Sequence, residues 1–221
     1  MSQFVKNIFC IPLLIAETDN MAICSQAETL AQKFRANAKE ATLVSDKWNY
    51  SIKSSDQTEI DKYGVTSFNT PDQLDEDEWR PVADFIYDFA NTLVKSVYDG
   101  PKKLFILNLW TTVYPPGAYV TEHVHSNSLL SGVFYVKKNP GPGGDLILHD
   151  PAWVAKTVDL PSIHEFPALP TTYIQPVKTG MMVIFPSWLP HLTQPNDDDE
   201  DRIIISFNMQ LSNDNTQRPN T

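Results

Sequence analysis

Residues 114–135 read YPPGAYVTEHVHSNSLLSGVFY. Pro115-Pro116-Gly117 is a turn signal, because proline pre-sets φ and glycine accepts the positive φ that tight turns demand. On either side the chain alternates as strands do, over Leu104–Tyr114, Tyr119–His125 and Leu129–Lys138, with no room for a helix between them. His123 and His125 stand two apart. On an extended strand both imidazoles then point to one face, about 7 Å apart. A third histidine from a distant strand would complete a site suited to iron, zinc or manganese. His191 is the candidate, at the exit of the apolar run MMVIFPSWLPH, residues 181–191.

Outward from this stretch, Asp145–Asp150, Thr172–Val177, Met181–Phe185 and Arg202–Leu211 also read as strands. NPGPGG at 139–144 and Lys178-Thr179-Gly180 separate them. Many short strands without intervening helices mean a sandwich, barrel or jelly roll. In RIIISFN, alternation sets Arg202, Ile204, Ser206 and Asn208 on one face and Ile203, Ile205 and Phe207 on the other. A cation facing a barrel interior is costly unless it meets an anion, and a carboxylate held by both arms of the guanidinium meets that need. The alternative is a solvent face, with Arg202 paired to the acidic run Asp197–Asp201. His149 and His164 are expected to be structural or exposed. Trp110, Trp153 and Trp188 could line a mouth, with core packing the expected role.

The first hundred residues have another character. NIFCIPLLIA, broken by Pro12, suits an edge strand over residues 7–16 and is too short to span a bilayer. Asp19 and Asn20 can cap a helix carrying Ile23, Ala27, Leu30, Ala31 and Phe34, which fades near Ala41. From Trp48 to Pro71 polar residues dominate, and loop with one or two short strands is expected. A second helix carries Val82, Phe85, Ile86, Phe89 and Leu93 on one stripe, with Asp75, Glu76, Asp77 and Glu78 crowding its first turn and Gly100-Pro101 ending it.

The chain has 221 residues, 42% of them hydrophobic, enough for one domain with a real core. Seventeen prolines against eight glycines suit turns and strand edges. A formal net charge of -10 argues against a nucleic acid as partner, since phosphates are held by Lys and Arg. Two cysteines, Cys10 and Cys24, give no disulfide framework. The reading is a soluble, cytoplasmic protein with no membrane partner: residues 1–211 form one domain, with 1–103 supplying the first strand and supporting helices, 104–211 the barrel core, and 212–221 a polar tail.

The segment YPPGAYVTEHVH resembles the first iron motif of the prolyl-hydroxylase-like 2-oxoglutarate- and iron(II)-dependent oxygenases, with Tyr114, Gly117 and His123 at that family's spacing. GVFYVKK resembles the following strand, GGDLILHD the glycine-glycine-acid turn, VKTGMMVIFPSWLPH the segment of the distal metal histidine, and Arg202 the basic residue eleven beyond it. The likeness covers residues 104–211, and the combination is most similar to the uncharacterised oxygenases of bacteria and phages. It implies a double-stranded β-helix, or jelly-roll, barrel with supporting helices. It implies Fe(II) on His123, His125 and His191, 2-oxoglutarate and O2 as cosubstrates with ascorbate as an optional reductant, and Arg202 and Tyr135, with Ser206 or Tyr114, on the far carboxylate of 2-oxoglutarate. The reaction implied is hydroxylation of a C–H bond in a small-molecule or peptidyl substrate, coupled to decarboxylation to succinate. Assembly as a homodimer is left open.

One departure is plain. The family's ligand order is His-x-Asp and then His, and here His125 takes the place of Asp. Glu122 should face the other way on a regular strand, and Asp145 and Asp150 are expected in turn or surface roles. Gly117, His123 and His125 also open the signature of the cupins, which often bind metal through three His and a Glu. That Glu is missing from SNSLLS. A cupin-type metalloprotein without 2-oxoglutarate, and a metal-free jelly-roll binding module, are the alternatives.

Overall fold

The computed structural model describes residues 10–37, 41–45, 50–54, 66–70, 72–74, 76–98, 100, 104–152 and 171–211, with the side chains of residues 37, 41–45, 50–54 and 66–68 left aside. Residues 7–9, Trp48, Asp75, Trp153, His164 and the tail 212–221 lie outside that set. In chain order the elements are β1 (Leu14–Glu17), α1 (Met21–Asn37), β2 (Ala41–Ser45), β3 (Tyr50–Ser54), β4 (Thr66–Asn69), a 3-10 turn (Asp77–Trp79), α2 (Arg80–Lys95), β5 (Leu104–Tyr114), β6 (Leu130–Lys137), β7 (Leu146–His149), β8 (Thr172–Gln175), β9 (Met181–Pro186), β10 (His191–Thr193) and β11 (Arg202–Leu211).

The described strands form two sheets. The larger runs β1-β9-β6-β11-β5-β4-β2-β3 and the smaller β10-β7-β8, with the described pairings antiparallel. This is the double-stranded β-helix. β11 is its middle, paired to β5 from Arg202↔Tyr114 to Leu211↔Leu104 and to β6 on its other side. Period-two alternation divides its residues between two cores. Ile203, Ile205, Phe207 and Met209 pack outward with Phe134, Val136 and Ile184 against the helices, while Ile204 packs inward with Tyr135, Val133, Leu146 and Phe185.

Helix α2 seals the outer core through Val82, Ile86, Ala90 and Val94, all buried at four-residue spacing. Each large apolar side chain removed from water there contributes about 1.5–3 kcal/mol. The start of this helix differs from expectation. It begins at Arg80 with Pro81 in its first turn and no acid there, while Asp77 and Glu78 lie in the preceding 3-10 turn. Proline suits the first helical positions because their N–H groups have no intrahelical acceptor. Trp79, 4% exposed, anchors the junction.

β1 forms at the sheet edge against β9, shorter than expected and beyond Pro12. Three short strands, β2, β3 and β4, extend the large sheet, and β2 starts where α1 was expected to fade. Of these, β4 docks on β5 and carries Asn69 opposite Thr112.

Candidate metal centre and its cavity

Tyr119–His125 is the main correction to the strand reading. Its backbone runs beside residues 187–196, with Val120 bonded to Thr193, His123 to His191 in both directions, and His125 to Ser187. From Val120–Thr193 to His123–His191 one side advances three residues and the other two. From there to His125–Ser187 the steps are two and four. The register slips twice, so only the isolated His123–His191 bridge forms where a regular strand was expected.

The irregular path still brings the rings together. Ring centroids lie 4.2 Å apart for His123 and His191, and 5.1 Å apart for His125 with either of them. Their ligand nitrogens all lie within 4.8 Å of one another. A triangle of side 4.8 Å has its centre at most about 2.8 Å from each corner. Closure by ~0.7 Å per ring reaches the ~2.1 Å of a metal–imidazole bond. Nδ1 of His123 lies 2.9 Å from the Thr121 carbonyl and Nδ1 of His191 2.8 Å from that of Leu189. A carbonyl only accepts, so both rings donate from Nδ1 and leave Nε2 as the nitrogen able to bind a cation.

Burial keeps the three rings neutral. Desolvation lowers His123 below the usual histidine range, against a smaller opposing effect of its bond to Thr121. Burial, then the neighbouring His123, brings His125 to about 4. Burial, then His123, brings His191 to about 3. Neutral imidazoles are the form that ligates.

No carboxylate joins this cluster among the described residues. Glu122 points away and pairs with Nδ1 of His149, both partly exposed. Asp145 accepts from Val177 N at 3.0 Å and Asp150 from Ala152 N at 2.8 Å, turn roles in both cases.

The rings open on a cavity of about 260 Å³ lined also by Asn69, Trp110, Thr112, Tyr114, Tyr135, Thr193 and Ser206. Arg202 is 2% exposed. Its guanidinium lies 4.2 Å over the Tyr114 ring and donates to Thr193 Oγ1 and Gln194 O, each at 3.2 Å. It therefore sits directly behind two lining residues. The acidic loop takes other partners: Asp201 binds Arg35 at 2.7 Å and Glu200 binds Lys137 at 2.8 Å. Tyr135 OH is buried with no hydrogen-bond partner among the described residues. Burial raises its pKa, opposed by the charge of Arg202. Ser206, four residues from Arg202 and so about 13 Å along β11, faces the cavity beside Trp110.

Residues 108–208 match the model of the family described as "Putative 2OG-Fe(II) oxygenase". Over these residues the chain belongs to the 2-oxoglutarate- and iron(II)-dependent oxygenases. No curated protein matches this oxygenase by sequence. Among solved structures it resembles a Pseudomonas putida prolyl-4-hydroxylase at 12% identity, over 90% of this chain and 92% of that one, with TM-score 0.57. It also resembles SnoN, the non-heme alpha-ketoglutarate-dependent epimerase of nogalamycin biosynthesis, at 14% identity over 90% and 78%, TM-score 0.63. A third is HygX from Streptomyces hygroscopicus, solved with nickel and 2-oxoglutarate, at 12% identity over 90% and 83%, TM-score 0.55. At such identities the likeness speaks for the fold alone.

Two features of the oxygenase's cavity escaped the sequence. Trp110 was expected in the core, yet it lines the cavity and stacks on His125 with centroids 5.9 Å apart. Its signal was the inward parity it shares with Thr112 and Tyr114. Trp188, also expected inside, is 54% exposed. Asn69 had no signal, because β4 itself was not distinguished from loop. No helix of the described residues is long and apolar enough to cross a membrane.

Proposed function

We propose that this oxygenase hydroxylates an unactivated C–H bond, with Fe(II) held by Nε2 of His123 and His191 and by the His125 ring. The reading is carried by one observation: three imidazoles converge on a cavity that has a buried guanidinium directly behind its Tyr114 and Thr193 wall. The bound iron and 2-oxoglutarate supply O2 activation coupled to decarboxylation to succinate. Three neutral ligands leave the charge of a divalent cation undiminished, and the dianion 2-oxoglutarate offsets it where Asp would otherwise have helped.

The remaining work falls to the chain's own groups. Arg202 and Tyr135 grip the far carboxylate, the hydroxyl donating an O–H that has no other acceptor among the described residues. Thr193 and Tyr114 hold the guanidinium in place for it. Ser206, farther along β11, lines the same chamber between cofactor and substrate. Val120, Phe185, Leu146 and Ile204 keep the walls apolar and limit water near the oxidant. Residues 1–211 act as one domain, because α1 and α2 close the outer core of the sheet that bears the site. The substrate is a small molecule or a peptidyl group.

Protein purified without oxygen and supplied with Fe(II), 2-oxoglutarate and O2 is expected to form succinate slowly even without substrate. Absence of iron-dependent 2-oxoglutarate binding by calorimetry would overturn the reading in favour of a cupin-type site.

A further inference from the structure

We propose that the substrate group entering this cavity is uncharged and donates an N–H or O–H to the side-chain carbonyl of Asn69, with Trp110 as the adjoining flat wall. This rests on the histidines being the oxygenase's metal ligands. Asn69 ends β4 in register with Thr112 of β5, so the two side chains share the inward face, and both line the cavity. Tyr114, at one end of this stretch of β5, pairs with Arg202. Two alternate positions on, Trp110 stacks on His125. Asn69 thus stands on the wall between the carboxylate-binding end and the metal, on the side of β5 away from β11.

Asn69 Oδ1 is buried and has no hydrogen-bond partner among the described residues. A buried amide acceptor is rarely left so, and a ligand donor satisfies it. The described residues lining the cavity include no Asp, Glu, Lys or Arg. A zwitterionic amino acid would bring an ammonium and a carboxylate into these walls with no counter-charge for either. An amide or alcohol would bring only the donor that Asn69 lacks.

The test uses Zn(II)-loaded protein with 2-oxoglutarate and ligand-observed NMR affinities for matched probes. N-methylacetamide against N,N-dimethylacetamide asks for an N–H, 2-methoxyethanol against 1,2-dimethoxyethane asks for an O–H, and glycine stands for a zwitterion. The donor-bearing member of at least one pair is expected to bind about three- to tenfold tighter, a hydrogen bond's worth, and glycine more weakly than both. Asn69→Leu should erase the preference. Asn69→Asp, which keeps an acceptor, should retain it and serves where the leucine variant fails to fold. Equal binding within both pairs, tighter binding of glycine, or a preference that survives Asn69→Leu overturns the proposal alone. Wild-type protein that shows no iron-dependent 2-oxoglutarate binding overturns the underlying reading and the proposal with it.

Discussion

His123 and His191, distant in the chain, are clasped backbone to backbone: the His123 N–H donates to the His191 carbonyl at 3.0 Å and the His191 N–H returns the bond at 3.1 Å. A reciprocal pair of this kind fixes the two Cα atoms about 5.5 Å apart with side chains on one face. The convergence of the rings is therefore written into the backbone before any cation arrives. Their Nδ1 protons, each tied to a carbonyl two residues earlier in the chain, fix the tautomer as well.

His191→Ala is accordingly expected to abolish tight metal binding. Loss of an outer hydrogen-bond partner of a ligand already costs ten- to a hundredfold, and loss of the ligand itself should exceed that. His125→Asp should instead retain iron, because it restores the two-histidine, one-carboxylate set of the family. Metal content after dialysis against a fixed Fe(II) concentration checks both. Unchanged metal in the alanine variant would remove His191 from the centre.

Arg202→Ala should weaken 2-oxoglutarate by about 1.5–3 kcal/mol, the loss of a charged hydrogen-bonding partner, while iron affinity holds. Arg202→Lys keeps the charge without the planar fork and should recover only part of it. Calorimetric titration of 2-oxoglutarate into iron-loaded variants separates the two. An unchanged affinity would mean the guanidinium only braces Tyr114 and Thr193.

Tyr135→Phe carries opposite signs in its two readouts. The hydroxyl has no hydrogen-bond partner among the described residues, so its removal should leave thermal stability unchanged or raise it by about 1 kcal/mol. Affinity for 2-oxoglutarate should nonetheless fall by about 1 kcal/mol. Parallel loss of both would show that the phenol serves packing instead.

The pH dependence follows from buried neutral histidines. In the unfolded chain these rings protonate near 6.5, whereas in the fold His125 does so at about 4 and His191 at about 3. The unfolded state thus takes up protons first. Stability of the metal-free protein is fully present above pH 6.5 and drains away as pH falls from there toward 4 and 3. Thermal unfolding from pH 8 to 4.5 should show a flat top and a decline below 6.5, shallower in His125→Asn. A decline that starts only below pH 5, where carboxylates titrate, would show that the rings are not desolvated.

Where the chain alternated strongly, the fold was legible. Parity set Arg202 and Ile203 on opposite faces of β11, while Tyr135 was singled out by the family likeness and not by parity. The jelly roll could be read because the long strands β5, β6, β9 and β11 hold that parity over six to eleven residues, and the three histidines because of their spacing and residue type. The residues around His123 could not be read so simply. A register slip leaves no mark in local sequence, since it is decided by the partner segment with Pro190 and Pro195 in it. β10 is only three residues long and follows Pro190, so no periodicity could announce it. Asn69 reaches the cavity because β4 joins the sheet between β5 and β2, a tertiary pairing that its polar neighbours did not foretell.

Gly144 links the turn signal of the sequence to the placement of Arg202. Its φ is +72°, a region where an L side chain is strained by roughly 1–2 kcal/mol. A Cβ there would stand 2.4 Å from Arg202 Nη1 and 3.2 Å from Lys138 Cε. Lys138 is itself held by the carbonyls of Asn139 and Gly141, so it cannot yield freely. The guanidinium must move, and with it the bond to Thr193. Gly144→Ala should therefore lower the melting temperature by several degrees, given about 2–4 °C per kcal/mol at this size. It should weaken 2-oxoglutarate as Arg202→Lys does, yet leave metal content intact because the histidines lie on other segments. Gly141→Ala is the control: it shares a positive φ, 143°, but meets nothing within 4 Å, so it should cost stability without touching 2-oxoglutarate affinity. Equal effects of the two alanines on 2-oxoglutarate would show that the turn, and not the contact with Arg202, is what Gly144 protects.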